Sequence, residues 1–263
     1  MMYDVLDAYR EYLKPTFRPE TIRTYVNRLE MLFEGQSMID PITNLDISKI
    51  MNQLEKIEYK NEFSQAKNAL FSFLTFQNLT LSKEESNRIQ SMEEHTHKKY
   101  RKMKSLEYQQ IDKKIKRVRN KKLKLSYQTL METGMRVFEL SQITKNDCIV
   151  KEDSILFYFT GKGGETETAT VFKNGNKILY DSLVTLIKNT KANESVFYSK
   201  HYLQTKAKEL GFGCHDLRRI SAKMEYKKTG SKKEVVKKLR HTNEKTTDIY
   251  LKSKIKMGKG GTD

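Results

Sequence analysis

Apolar residues recur at helical spacing through the first third of the chain. Ile22, Tyr25, Val26, Leu29 and Phe33 fall three and four apart, with Pro19 near the first turn of the stripe and Gly35 just past its end. Both flanking residues mark helix boundaries, because proline fits a first turn and glycine a C-terminal cap. The next stripe, Ile47, Ile50, Met51, Leu54 and Ile57, follows Asp46, whose carboxylate can accept hydrogen bonds from first-turn amides. Another carries Phe63, Ala66, Leu70, Phe73 and Leu74. The pattern predicts a small all-α bundle over residues 1–92.

From His95 to Lys104 the periodicity stops in the run His-Thr-His-Lys-Lys-Tyr-Arg-Lys-Met-Lys. Such a polar, basic stretch reads as an exposed linker, placed at 93–105, and a solvated place within it is expected for His95 and His97. Helical spacing resumes behind Ser105, a candidate cap, with Leu106, Ile111, Ile115 and Val118, and continues from Leu123 to Met131. One region reads as β: Ser154 to Phe159 is β-branched and aromatic, Gly161-Lys162-Gly163-Gly164 supplies a turn, and Thr166 to Phe172 is again rich in β-branched residues. From Lys177 onward the pattern is helical, with Ile178, Leu183, Leu186 and Ile187, then Leu203, Ala207 and Leu210. The expected fold class is therefore mainly α with a small antiparallel β-sheet, in two domains, the second over 106–263.

Charge narrows what such a fold could do. The chain has 263 residues and a formal net charge of +17, yet residues 1–90 hold 11 Lys+Arg against 13 Asp+Glu. The excess lies in the remainder: residues 95–124 carry 13 Lys+Arg and two acids, and residues 213–263 carry 15 Lys+Arg and six acids. Basic blocks of this kind suit a surface that tracks a nucleic-acid backbone, although solvated lysine faces look alike in composition. A basic membrane-surface protein is the other candidate, but no apolar run approaches the ~20 residues that span a bilayer. The N-terminus lacks the pattern of a secretion signal, so a cytoplasmic protein is expected. Cys148 and Cys214 have no metal-ligand spacing and are expected to be reduced, mostly buried thiols.

Three short segments carry candidate chemistry. Thr133-Gly-Met-Arg136-Val-Phe-Glu139-Leu140 comes first, His215-Asp-Leu-Arg218-Arg219 second, and Leu239-Arg240-His241 third, with Tyr250 nine residues after His241. Taken singly each is ordinary: Arg136 could start a helix, His215 could be a cap or surface group, and Tyr250 could be packed core. Together they supply what phosphodiester exchange needs. Arginine forks pair with phosphate oxygens, histidine exchanges a proton near neutral pH, and a tyrosine oxygen can take over one phosphate ester.

In this order and spacing the three boxes resemble the tyrosine recombinase, or phage integrase, family, as in Xer-like and mobile-element integrases. The resemblance implies a site-specific DNA recombinase, an integrase or resolvase, that works through a 3′-phosphotyrosyl intermediate without metal or cofactor. It implies Arg136, Lys162, His215, Arg218, His241 and Tyr250 as catalytic residues: two clamping arginines, two histidines, a general acid and the nucleophile. Glu139 is implied as the partner that holds an arginine or the helix start. Lys162 lies in the Gly-Lys-Gly turn typical of the family hairpin, but Glu165 and Glu167 stand where further basic residues are usual. The third box is usually Leu-Gly-His, and Arg240 replaces its glycine.

The resemblance covers residues 106–250 best. The first domain resembles the family's helical core-binding domain in length and helix pattern only, and no arm-site-binding domain is expected before it. Contacts to double-stranded DNA at a core site are expected from Arg23, Arg28, Lys98, Lys99, Arg101, Lys102 and Arg219, with self-assembly on DNA, a tetramer in the synapse and possible accessory proteins. The thirteen residues after Tyr250 offer Leu251, Ile255 and Met257 as anchors for exchange with a neighbouring protomer. Two other functions fit the residues, a type IB topoisomerase-like relaxing enzyme and a non-catalytic DNA-binding regulator.

Overall fold

The computed structural model describes residues 2–34, 46–97, 108–161, 164–242 and 244–252. The chain divides into two compact units, Met1–Lys102 and Met103–Asp263.

The first unit holds helices α1 (Met2–Leu13), α2 (Pro19–Leu32), α3 (Ile47–Glu55), α4 (Lys60–Phe76) and α5 (Lys83–His95). The stripes meet as their spacing requires: Val26, Leu29, Ile50, Leu54, Phe63, Leu70 and Phe73 are completely buried around Tyr9. Asp46 caps α3 by accepting from the Lys49 amide at 3.1 Å.

Helix α5 escapes a periodicity search, because Ile89 is its one buried residue. It is started by local chemistry: Ser82 and Glu85 form a reciprocal capping box at 3.2 and 2.7 Å. Residues 93–97 thus belong to this unit and not to an exposed linker. His95 lies in α5 with Nδ1 2.7 Å from the Ser91 carbonyl, and the His97 backbone pairs with the segment before α4, donating to Glu58 O at 2.8 Å. Backbone pairing, invisible in composition, overrides the polar look of the segment. Lys98, Lys99, Arg101 and Lys102, together with Ser105, lie outside the described residues.

The second unit begins with α6 (Tyr108–Lys116), α7 (Lys121–Thr133) and α8 (Val137–Gln142). A sheet follows, β1 (Cys148–Val150), β2 (Ser154–Thr160) and β3 (Thr166–Phe172), antiparallel throughout in the order β1-β2-β3. The two sequence-predicted strands are present, and β1, three residues long, is too short to show a pattern. Helices α9 (Lys177–Asn189), α10 (Lys200–Glu209), α11 (Cys214–Thr229), α12 (Lys232–Leu239) and α13 (Glu244–Leu251) complete it. Ile155 and Phe157 of β2 and Val171 of β3 alternate inward onto a core shared with Tyr127, Leu130, Leu183 and Leu217. The sheet and the α7–α8 turn are thereby fixed against α11, which carries the second box.

Both cysteines are free, Cys214 buried and Cys148 partly so, and burial pushes each thiol up to about 12, so neither ionises readily. No helix among the described residues is long and apolar enough to cross a membrane.

Candidate active site

The first box is built on a helix end followed at once by a helix start. Helix α7 stops at Gly134, which is left-handed at φ +64°, and a β-carbon there would come 2.6 Å from Leu239 Cδ2. The position therefore disfavours other residues twice, by backbone angle and by packing. Two residues on, Arg136 has extended backbone and precedes α8. Glu139, 1% exposed, reaches back to accept the Arg136 amide at 2.7 Å and pairs through its other oxygen with Arg136 Nη1. One carboxylate both starts the helix and holds the arginine.

In the second box, Arg218 is 1% exposed, among the most buried large side chains of the chain. Its Nη1 donates to the Gly134 carbonyl and its Nη2 to the Leu239 carbonyl at 2.6 Å. One guanidinium thus joins all three boxes. Burial, then Arg136 nearby, lowers its pKa to about 10, which leaves it charged at neutral pH. Arg219, beside it, is held by Asp216 Oδ1 at 2.8 Å, and Asp216 also accepts the Gly213 amide at the start of α11.

Tyr250 meets the boxes from α13. Its ring packs with Ala222, Val235 and Leu239 of its own chain, and Lys232 to Asp248 at 2.9 Å ties α12 to α13. The hydroxyl is hydrogen-bonded to His215 Nε2 at 2.7 Å. The His241 ring stands 5.0 Å away in an edge contact, and the Arg218 guanidinium lies 5.9 Å from the ring centre. His241 Nδ1 is hydrogen-bonded to Thr247 Oγ1 at 2.8 Å, which fixes the imidazole by one nitrogen.

Both histidines are held below their ordinary value of 6.5. For His215 the main cause is desolvation among its packed neighbours, followed by Arg219 and Arg218, although the residue as a whole is exposed. For His241 it is burial, then Arg218 and Arg136, which bring it to about 4. Both imidazoles are therefore mainly neutral at pH 7, and His215 can accept the tyrosine proton at Nε2 when its own proton sits on Nδ1.

Arg136, Glu139, His215, Arg218, His241 and Tyr250 are thus brought together. Lys162 lies outside the described residues. Arg28, in the first unit, donates to Gln65 Oε1 at 3.0 Å, and Arg23 is exposed. Two features escape the motif search. Thr247 sits three residues before Tyr250 on one helix face, a spacing that could have identified it. Arg240, by contrast, is joined to Glu167 across the fold, and nothing local signals that.

The arrangement gathers two guanidinium groups and a tyrosine hydroxyl that shares a hydrogen bond with an imidazole nitrogen, the kinds of group that phosphate-ester chemistry uses. Similar folds are known. The chain superposes on a lambda integrase dimer bound to a COC′ core site with a TM-score of 0.66 and 17% identity, over 95% of this chain and 94% of that one. A Tn1549 transposon integrase in complex with transposon right end DNA matches at 0.63 and 15%, over 95% and 94%. The XerH site-specific recombinase bound to difH matches at 0.59 and 16%, over 87% and 74%. Among curated proteins none matches by sequence. The family model for the phage integrase family matches residues 101–257, which contain all three boxes and Tyr250, and the chain belongs to that family, the tyrosine recombinases.

Proposed function

We propose that this tyrosine recombinase cleaves and rejoins duplex DNA at a specific core site with Tyr250 as its nucleophile. Tyr250 Oη attacks the scissile phosphorus while His215 Nε2 takes its proton. The bond to the 5′ oxygen breaks with its electron pair on that oxygen, and a 3′-phosphotyrosyl ester remains. Negative charge gathering on the non-bridging oxygens is met by Arg136 and Arg218, with His241 offering its free nitrogen. The leaving oxygen needs a proton, which we assign to Lys162 from its Gly-Lys-Gly setting alone. Attack by a 5′ hydroxyl reverses the steps, and the ester conserves the bond energy, so the chemistry requires no metal or nucleotide.

Around this centre we assign backbone contacts to Arg23, Arg28, Lys98, Lys99, Arg101, Lys102 and Arg219, with residues 1–97 as the helical core-binding domain and 106–263 as the catalytic one. Assembly on DNA in the cytoplasm, ending in a tetrameric synapse, completes the reading. Lambda integrase dimers on a core site are the structural parallel.

The observation that carries the proposal is the 2.7 Å contact between Tyr250 and a neutral His215 at the convergence of the three boxes. Mapping protein-protected DNA would supply the core site, and a nicked suicide duplex of that site the substrate. Wild-type protein is expected to form a covalent adduct. Tyr250→Phe, which loses the attacking oxygen and keeps the ring, is expected to bind normally and form none. An undiminished adduct in that variant would refute the assignment. Holliday-junction formation on two such sites separates recombination from simple relaxation.

A further inference from the structure

Arg240 caps α12 in the left-handed region at φ +53°, where a side chain is strained and glycine is at ease. Its guanidinium is turned inward, 14% exposed, and spans two strands of the sheet. It lies over the Phe159 ring of β2 at 5.2 Å, and its Nε is 3.1 Å from Glu167 Oε2 on β3. Phe159 and Glu167 are direct cross-strand partners. Glu167 in turn lies across Gly161, where a β-carbon would come 2.3 Å from its Oε1.

On its other side Arg240 Nη2 is 3.8 Å from Glu139 Oε2, the oxygen that accepts the Arg136 amide. Charge therefore alternates along Arg136, Glu139, Arg240 and Glu167. Arg240 Nη1 donates to the Lys238 carbonyl at 2.9 Å, yet Arg240 Nε, Arg240 Nη2 and Glu167 Oε2 are buried without a well-aligned hydrogen bond. A buried pair with unfilled hydrogen bonds, mounted on a strained backbone, is a poor stabilising device. Its position suggests another use, because it links the β2–β3 hairpin to the carboxylate that holds Arg136.

We propose that Arg240 and Glu167 form a positioning pair, fastening the hairpin to the third box and sharing Glu139 with Arg136, so that Arg136 is set for the scissile phosphate. Neither residue touches the reacting atoms; both act through Glu139 and Arg136. This rests on the assignment of Arg136 and Tyr250 above.

Single-turnover cleavage of the suicide duplex at saturating protein, measured beside DNA affinity, tests it. Arg240→Gly relieves the strained backbone, so it is expected to fold, bind DNA within about threefold of wild type, and cleave at least tenfold more slowly. Arg240→Lys, which keeps charge without the fork, should recover part of the loss. Glu167→Gln, which keeps the shape of the side chain, should slow cleavage in the same direction. The double variant Arg240→Gly with Glu167→Gln should be no slower than Arg240→Gly alone, since one linkage is broken either way. Wild-type cleavage by Arg240→Gly, or losses that multiply in the double variant, would overturn the pair while leaving the nucleophile assignment intact. Absence of a wild-type adduct would overturn both. Should Arg240→Gly fail to fold, Glu167→Gln decides: a normal rate overturns the inference and a slowed rate with intact binding sustains it.

Discussion

Arg218 shows how much one side chain can be asked to do. With Nη1 on the Gly134 carbonyl and Nη2 on the Leu239 carbonyl, it keeps further N–H groups for a phosphate, since guanidinium carries five donors in a rigid fork. Arg218→Ala would leave two carbonyls without their donor as well as removing the transition-state donor proposed above, so loss of activity must be read beside a melting curve. Arg136, partly exposed and held by Glu139, is the cleaner probe. Its alanine variant is expected to lose about 100-fold in single-turnover cleavage, with a stability cost from the buried Glu139 carboxylate that a melting curve measures separately. The histidines allow a test by pH. Both are neutral in the folded chain and titrate below 6.5, His241 near 4, whereas in the unfolded chain they protonate at the ordinary value. Their contribution to stability is therefore present above 6.5 and is lost as pH falls from there toward 4. The acid limb of the second-order rate of adduct formation, which reports the free enzyme, is expected below 6.5. A limb at or above 6.5 would contradict neutral His215 as the base.

At the scale of elements, two helices end on left-handed glycines with the same φ of +64°, in different surroundings. Gly134 closes α7 under Leu239 and Ser221, while Gly230 closes α11 with nothing near the place a β-carbon would take. Gly230→Ala is expected to cost roughly 1 kcal/mol, the backbone penalty alone. Gly134→Ala should cost about 2–4 kcal/mol, because overpacking adds to the same penalty. Denaturant titration of both variants checks this, and equal costs would mean that the α7–α12 contact yields freely. The Gly134 carbonyl also receives Arg218, so the larger strain would reach the centre. Helix α13 illustrates a related dependence. It has few buried residues, and Tyr250 is placed by packing on α11 and α12 and by the Lys232–Asp248 pair.

For the whole molecule the controlling quantity is charge. With a net +17 and residues 1–90 slightly acidic, the basic excess lies in the rest of the chain, where the proposed function puts most of its backbone contacts. If about six phosphates are neutralised, affinity for duplex DNA should fall roughly a thousandfold between ~50 and ~200 mM salt, through lost counterion release. Binding measured by anisotropy over that range checks it, and a flat response would exclude backbone tracking as the main source of affinity.

By itself the sequence determined whatever depends on neighbours within a turn or two. The stripes of α2, α3 and α4, the cap at Asp46 and the two β-rich runs 154–159 and 166–172 are of this kind. Spacing along the chain also singled out the candidate arginines, histidines and tyrosine, which the fold brings to one place. Segments lacking an apolar rhythm were hidden: α5, which relies on its capping box, β1, which is too short, and residues 93–97, whose polar look concealed a backbone pairing with the start of α4. Only tertiary structure decided who touches whom. Arg218 meets a carbonyl 84 residues away, and Tyr250 meets a histidine 35 residues earlier. Arg240 in place of glycine and Glu167 in place of a base look like unrelated departures in the sequence, yet in the fold they are partners. Local spacing encodes local hydrogen bonds and buried faces. Long-range pairing follows from how those faces close on one another, and no short window of sequence contains it.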